Sequence, residues 1–269
     1  MRMISALALA AALGWNTSAF ADGAALVIGN GDYLNAPDAA TAVRDARSVA
    51  KALQDADWSV TFGADLDRAS MRDLISQFAK QAEDADELVI FYSGHALRTG
   101  GISYLAPTDA LSTTLTDVLF DGVPLDLLLS LAGEAPGRAV VFLDGAQLRG
   151  FQPKDFVEPG LADLEGPEGV LIVSAAAPGQ AVRRSSWRDS RFARLIVDRF
   201  LQPGASVLTT ATDAGEPTFT TGSVDGDFEI APAPPPVSAG EGLEAEIELA
   251  YWRAAERSGA AADYKAYLE

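Results

Sequence analysis

Short apolar runs recur along this chain and alternate with segments whose apolar residues have helical spacing. Five runs have the near-continuous hydrophobicity of strands that are buried on both faces. These predicted strands are residues 24–29, 58–62, 87–92, 138–143 and 169–174. The segments with helical periodicity are residues 38–56, 70–82, 124–131 and 189–200. Repeated strand–helix units of this kind predict an α/β fold, in which helices cover both faces of a mostly parallel sheet.

Three smaller elements complete the predicted architecture. Residues 206–210 are expected to form a sixth strand, and residues 102–105 a short strand on an excursion from the main sheet. Ser70 and Asp73 have the spacing of a capping box, which predicts the start of the second helix.

The first 21 residues have the three parts of a secretory signal peptide. Arg2 gives a positive start, residues 4–13 are apolar but too short to span a bilayer, and Ala19-Phe20-Ala21 supplies small residues for cleavage. We expect cleavage after Ala21 and a periplasmic or secreted bacterial protein with no later membrane span. Retention through an uncleaved N-terminal anchor is the alternative.

Composition excludes several classes of function. The net charge is -18, and a surface this acidic repels phosphate backbones, so no nucleic-acid partner is expected. The chain has no cysteine, which excludes disulfides and every thiol nucleophile. One histidine and scattered carboxylates do not make a zinc site, so we expect neither a metal nor a cofactor.

Polar loops follow three of the predicted strands, at residues 30–33, 93–95 and 144–147. In parallel sheets, functional groups gather beyond the carboxyl ends of the strands. The middle loop ends in Ser93-Gly94-His95, and His95 is the only histidine in the chain. Its position after a buried strand makes it the leading candidate for chemistry, although a single histidine is also compatible with a purely structural role.

Several motifs occur in the order that one peptidase family has them. They are residues 25–30 with Tyr33, 43–46, 91–95, 104–109, 174–180, and 215–217 with 226–228. From residue 24 to about residue 230 the chain resembles the caspase-like peptidases (peptidase C14), specifically the bacterial members related to metacaspases. The resemblance implies a caspase-like three-layer sandwich around a six-stranded, mostly parallel sheet.

The family's reaction needs a cysteine just after the fourth strand, usually within Asp-Ala-Cys-Arg. The matching positions here are Asp144, Gly145, Ala146 and Gln147, so the nucleophile is missing at Ala146. His95 is then the remnant of a Cys–His dyad. The family also prefers glycine after this histidine, where the chain has Ala96. An engineered knockout would change one residue, whereas drift after loss of function would change several.

The resemblance also implies a substrate-binding region. Asp45 and Asp144 match acidic positions that receive basic side chains, and Ser93 and Gly94 line the histidine loop. Local roles are the alternatives: Asp45 would cap or pair with Arg44 or Arg47, and Asp144 would hold its own turn. A basic cluster at Arg183, Arg184, Arg188 and Arg191 is a site for an acidic partner, a set of pairs with the acidic surface of the same chain, or a solvated loop.

These expectations divide the chain into a signal peptide (1–21), a caspase-like domain (22–230), a Pro/Gly/Ala linker (231–242) and a short helical tail (243–269). The leading hypothesis is an inactive pseudopeptidase that binds a peptide or protein ligand with basic side chains, or an active caspase-like paralogue. Two alternatives stay open. One is a hydrolase of non-cysteine chemistry that uses Ser93, His95 and Asp144, and the other is a purely structural module.

Overall fold

The computed structural model describes residues 23–110, 114–134, 138–145, 157–180, 190–215, 218–224, 226 and 228–233. The expected signal peptide, the helical tail, most of the linker and Ala146 lie outside these residues. The α-helices are α1 (Ala42–Asp55), α2 (Arg68–Ala82), α3 (Leu115–Asp121), α4 (Leu125–Glu134), α5 (Arg191–Leu195) and α6 (Val207–Asp213), and a π-helix, Ile196–Phe200, directly follows α5. The strands are β1 (Gly23–Gly29), β2 (Ser59–Ala64), β3 (Glu87–Ser93), β4 (Ala96–Thr99), β5 (Ile102–Leu105), β6 (Val123–Pro124), β7 (Arg138–Asp144), β8 (Glu158–Pro159), β9 (Val170–Ser174) and β10 (Phe219–Gly222).

The main sheet has six strands in the order β10-β9-β7-β3-β1-β2. The five strands from β9 to β2 are parallel, and β10 pairs antiparallel with β9. All seven residues of β3 and all five of β9 are buried, as expected for strands covered on both faces. The predicted α/β fold with a mostly parallel six-stranded sheet is therefore confirmed.

Two apolar clusters lie on opposite faces of this sheet. Alternate residues of β3 divide between them: Leu88 and Ile90 belong to one cluster, and Val89 and Phe91 to the other. The first cluster includes the buried residues of α2 and α4, and the second includes Ala46, Val49, Ala50 and Leu53 of α1 and the buried residues of α5. Because side chains alternate along a strand, each layer of helices covers its own half of the strand residues.

The predicted sixth strand at residues 206–210 was wrong. Residues 207–213 form α6, whose first turn is capped by the Ser206 hydroxyl, which accepts a hydrogen bond from the Thr209 N–H at 3.0 Å. The buried residues Val207, Thr210 and Ala211 follow the i, i+3, i+4 spacing of a helix face. The sixth strand is instead β10.

The predicted capping box at Ser70 and Asp73 was also wrong. Helix α2 begins at Arg68, and its cap is Asp67, whose Oδ1 accepts a hydrogen bond from the Ser70 N–H at 2.7 Å. The backbone and side-chain hydrogen bonds from Ser70 lower the pKa of the Asp67 carboxyl below its usual value.

A second, antiparallel sheet begins next to the candidate histidine. Its order is β6-β5-β4-β8, and Ala96, the first residue of β4, pairs with Leu105 of β5. The predicted strand at residues 102–105 is β5 of this sheet. The described residues from Gly23 to Ala231 belong to one compact unit. None of the described helices has the length and hydropathy needed to cross a membrane.

Candidate functional site

The ends of three neighbouring strands bring the predicted site residues together. Gly29 of β1, Ser93 of β3 and Asp144 of β7 stand in one register across the sheet. The Asn30 N–H donates to the Ser93 carbonyl at 2.9 Å, and the Gly94 N–H donates to the Asp144 carbonyl at 3.2 Å. Hydrogen bonds therefore join the three polar loops at one edge of the sheet, where the sequence places them.

The backbone of His95 is bonded on both sides by tyrosine hydroxyls. Its N–H donates to the Tyr33 Oη at 2.8 Å, and its carbonyl accepts from the Tyr92 hydroxyl at 2.7 Å. The same carbonyl also accepts from the Ala106 N–H at 3.0 Å. His95 is 4% exposed, so these bonds form in a site that excludes water. The loop that carries His95 is thus fixed through its main chain.

The imidazole ring of His95 is oriented by two further contacts. Its Nε2 lies 2.6 Å from the Pro37 carbonyl oxygen, and its ring centroid lies 4.3 Å from that of Tyr33. A carbonyl only accepts, so Nε2 must carry the proton. In the neutral ring, Nδ1 is then the basic nitrogen. Pro37 is not among the residues that the sequence singles out, because no pattern shows that its carbonyl reaches His95.

The Ala106 carbonyl connects the loops around His95. It accepts from the Asn30 Nδ2 at 3.0 Å, from the Tyr92 hydroxyl at 3.3 Å and from the Tyr33 hydroxyl at 3.4 Å. Burial raises the pKa of the Tyr92 phenol well above its usual value of 10.0, and the neighbouring Tyr33 raises it further. Tyr92 therefore stays a neutral donor. Its position at the end of an apolar strand is the only sequence signal for this role.

The absence of a side chain at Gly94 leaves room for the two tyrosine hydroxyls that bond to the His95 backbone. A Cβ at Gly94 would lie 2.6 Å from the Tyr92 Oη and 2.7 Å from the Tyr33 Oη, which is closer than non-bonded atoms approach. A side chain here would push both hydroxyls away from the His95 backbone. The role of Gly94 is therefore to leave space in the loop for these hydroxyls.

Ser93 does not offer an accessible hydroxyl. It is the last residue of β3 and exposes 0% of its surface. A nucleophile must reach a substrate, so complete burial disfavours the hydrolase hypothesis that combines Ser93 with His95 and Asp144. The structure places these three residues at one edge of the sheet, without giving Ser93 access to solvent.

The two candidate carboxylates are both fully buried. Asp144 ends β7 and Asp45 lies in the first turn of α1, and each exposes 0% of its surface. The Asp45 Oδ1 accepts a hydrogen bond at 2.7 Å from the N–H of Ser190, the N-cap residue of α5. Asp45 thus links α1 to the beginning of α5, a partner that is 145 residues away in sequence.

Other predicted features fall partly outside the described residues. Ala146 and the basic residues Arg183, Arg184 and Arg188 are not described, and Arg191 begins α5. Among the residues that are described, no three His, Cys, Asp or Glu side chains are grouped so that they could hold a metal ion.

Comparisons with known proteins agree with this architecture. The profile of the caspase domain matches residues 22–215. The crystal structure of caspase-1 from Spodoptera frugiperda is similar, with a TM-score of 0.59 and 16% sequence identity over 79% of this chain and 92% of that chain. A search of the curated proteins finds no match. At this identity the solved structure supports the fold alone, while the profile covers most of the chain. This chain belongs to the caspase domain family.

Proposed function

We propose that this chain is a catalytically inactive member of the caspase domain family, a pseudopeptidase that binds a peptide or a protein without cleaving it. One observation carries the proposal: the 269 residues contain no cysteine. The family's covalent reaction begins with attack by a thiolate, and no other residue type supplies a thiol. Ala146 stands where the family's Asp-x-Cys motif has its nucleophile.

The contacts around His95 support a site that has lost its nucleophile and kept its histidine. His95 still has a fixed backbone and an oriented ring, so a base remains where the dyad would have one. Without a nucleophile, this base has no proton to remove from an attacking group. The geometry supports retention of a shaped surface at the sheet edge rather than retention of catalysis.

Further differences from the family's motifs support a gradual loss of the catalytic residues, in a protein related to bacterial metacaspases. Gly145, Ala146 and Gln147 all differ from the family's Asp-Ala-Cys-Arg, and Ala96 replaces the glycine that follows the histidine. The Cβ of Ala96 lies 2.9 Å from the place that a Cβ at Gly145 would occupy. The two positions are in contact, so a change at one constrains the other.

The expected ligand is a peptide or protein segment with a lysine or arginine side chain. The resemblance puts Asp45 and Asp144 at acidic positions that receive basic side chains. Both carboxylates are fully buried in this structure, so the proposal requires the loops at the sheet edge to move before a ligand's cation contacts them. An active caspase-like paralogue is a specific candidate partner, since an inactive copy could bind its substrates or the enzyme itself. The N-terminal pattern of residues 1–21 supports an encounter in the cell envelope or outside the cell.

Binding of short labelled peptides tests the ligand class. Peptides that differ only in Arg, Lys or Gln at one position would be titrated into the mature chain and followed by fluorescence anisotropy. We expect Arg and Lys peptides to bind more tightly than the Gln peptide, and Asp144→Asn to remove that preference. Asp198→Asn is the control, because Asp198 is an exposed carboxylate in the helical segment Ile196–Phe200 and not one of the predicted site residues.

Two results would overturn the ligand class. The first is equal binding of all three peptides. The second is a basic preference that survives both Asp144→Asn and Asp45→Asn in folded protein. Circular dichroism of each variant separates loss of binding from loss of the fold. Comparing periplasmic and cytoplasmic fractions for the processed chain tests the location independently, and an unprocessed cytoplasmic chain would contradict export.

A further inference from the structure

The short helix α3 exposes most of its large apolar side chains. Phe120 is 73% exposed, Leu119 is 52% exposed and Leu115 is 36% exposed, whereas only Val118 of this helix is buried. A surface helix ordinarily turns its apolar stripe towards the core. We call Leu115, Leu119 and Phe120 the α3 face.

The exposure of the α3 face does not come from a poorly formed helix. Thr114 and Asp117 form a capping box with hydrogen bonds of 3.2 Å and 2.9 Å. At the other end, the Arg68 Nη1 donates to the Phe120 carbonyl at 3.2 Å and to the Asp121 Oδ1 at 2.9 Å. Both ends are bonded, so the helix presents these side chains in a defined arrangement.

Hydrogen bonds connect α3 to a loop that carries another exposed leucine. Leu34 is 77% exposed, and its N–H donates to the Thr108 carbonyl at 2.9 Å. Asp109 directly follows Thr108, and its Oδ1 accepts a hydrogen bond from the Arg68 N–H at 2.9 Å. Arg68 in turn bonds to the end of α3, so hydrogen bonds connect the Leu34 loop to the α3 face.

Aspartates lie on α3 and next to its end. Asp117 and Asp121 belong to the helix, and Asp121 pairs with Arg68. Asp109 accepts a hydrogen bond from the Arg68 N–H, and Asp67 directly precedes Arg68 in the chain. An apolar patch with an acidic border selects a partner that is apolar in the middle and basic at its edges.

We propose that the α3 face docks a basic amphipathic segment of another protein. The apolar side chains of that segment would contact Leu119 and Phe120, and its Lys or Arg side chains would lie beside the aspartates. Charge decides among the possible occupants. A second copy of this chain would bring a net charge of -18 against the same acidic border, and an anionic lipid surface would be repelled in the same way. None of the α3-face residues is part of the site around His95, so this surface extends the proposed function.

The test uses a synthetic helical peptide of leucine and lysine with one apolar face, labelled for fluorescence anisotropy. A peptide with every lysine replaced by glutamate is its control. We expect the mature chain to bind the lysine peptide, to bind less tightly in high salt, and to leave the glutamate peptide unbound. Leu119→Ser with Phe120→Ser should weaken binding at least about tenfold, as expected for anchors at the centre of an interface.

Ile102→Ser is the matched control, since Ile102 is also an exposed apolar residue, 39% exposed, but lies on β5. Equal weakening by Ile102→Ser, or full binding by the Leu119→Ser and Phe120→Ser variant, would overturn the proposal. Sedimentation velocity tests the second-copy occupant: a dimer that this double variant converts to a monomer would also overturn it. Phosphatidylglycerol vesicles test the lipid occupant in the same way, and binding that depends on Leu119 and Phe120 would count against a protein partner.

Discussion

The Cβ of Ala96 lies 2.9 Å from the place that a Cβ at Gly145 would occupy. Ala96 follows His95, and Gly145 follows Asp144, so the contact joins the histidine loop to the loop in which the resemblance expects the nucleophile. The motifs that the resemblance implies have glycine after the histidine and alanine after the aspartate. This chain has the larger residue on the opposite side of the contact, and we expect the two differences to be a compensating exchange between touching positions.

A double-mutant cycle at this pair tests the exchange. Gly145→Ala alone places a methyl group against Ala96 and should lower the free energy of unfolding by about 1–3 kcal/mol. In an Ala96→Gly background the same substitution has room, and we expect a coupling energy of at least about 0.5 kcal/mol. Urea unfolding of the four proteins gives the cycle. Equal cost of Gly145→Ala in both backgrounds would show that the two positions are independent.

Gly94 gives a second prediction about the histidine loop. Gly94→Ala places its Cβ 2.6 Å from the Tyr92 Oη and should destabilise the fold through displacement of the tyrosine hydroxyls. Removing those hydroxyls with Tyr33→Phe and Tyr92→Phe should reduce the cost of Gly94→Ala. Thermal unfolding of Gly94→Ala in the two backgrounds measures this. A cost that is unchanged without the hydroxyls would place the strain elsewhere.

The ring of His95 offers a direct spectroscopic test, because it is the only histidine in the chain. The 2.6 Å approach of Nε2 to the Pro37 carbonyl predicts that the neutral ring is protonated at Nε2 and unprotonated at Nδ1. Long-range nitrogen–proton NMR under alkaline conditions, in which imidazole is neutral, distinguishes the two tautomers. A neutral ring protonated at Nδ1 would contradict the orientation described for His95.

We expect the buried phenol of Tyr92 to account for part of the decrease in the free energy of unfolding at alkaline pH. Burial raises the pKa of its phenol above the usual value of 10.0, so the folded protein keeps a proton that the unfolded chain releases. The stabilising contribution of the neutral phenol is therefore complete below pH 10.0 and falls as the pH rises beyond it. Unfolding free energies of wild type and Tyr92→Phe should show a shallower alkaline slope for the variant. Identical slopes would mean that Tyr92 does not contribute.

The sequence predicts the main sheet well because its signal is local. Continuous apolar runs mark β3, β7 and β9, and polar loops directly after the strands place His95 and Asp144 at one edge. Once parallel strands are assumed, their carboxyl ends must meet there. That reasoning also brings Ser93 to the edge, although it does not show that the residue is fully buried.

Errors arise where the deciding contact is distant or where two patterns overlap. Val207 and Leu208 in residues 206–210 suit either a strand or a helix, and the Ser206 cap decides for the helix. The Ser190 partner of Asp45 is 145 residues away, and the Pro37 carbonyl is 58 residues from His95. No local pattern contains such contacts, because they depend on how the loops meet above the sheet.

The proposed function combines the caspase fold with loss of the family's catalysis. The most direct measurement incubates the purified mature protein with libraries of Arg- and Lys-containing peptides and detects new termini by mass spectrometry. Wild type and His95→Ala should give the same profile, with no cleavage above a buffer control. Cleavage after basic residues by the wild type that disappears in folded His95→Ala would show that the chain is an active peptidase.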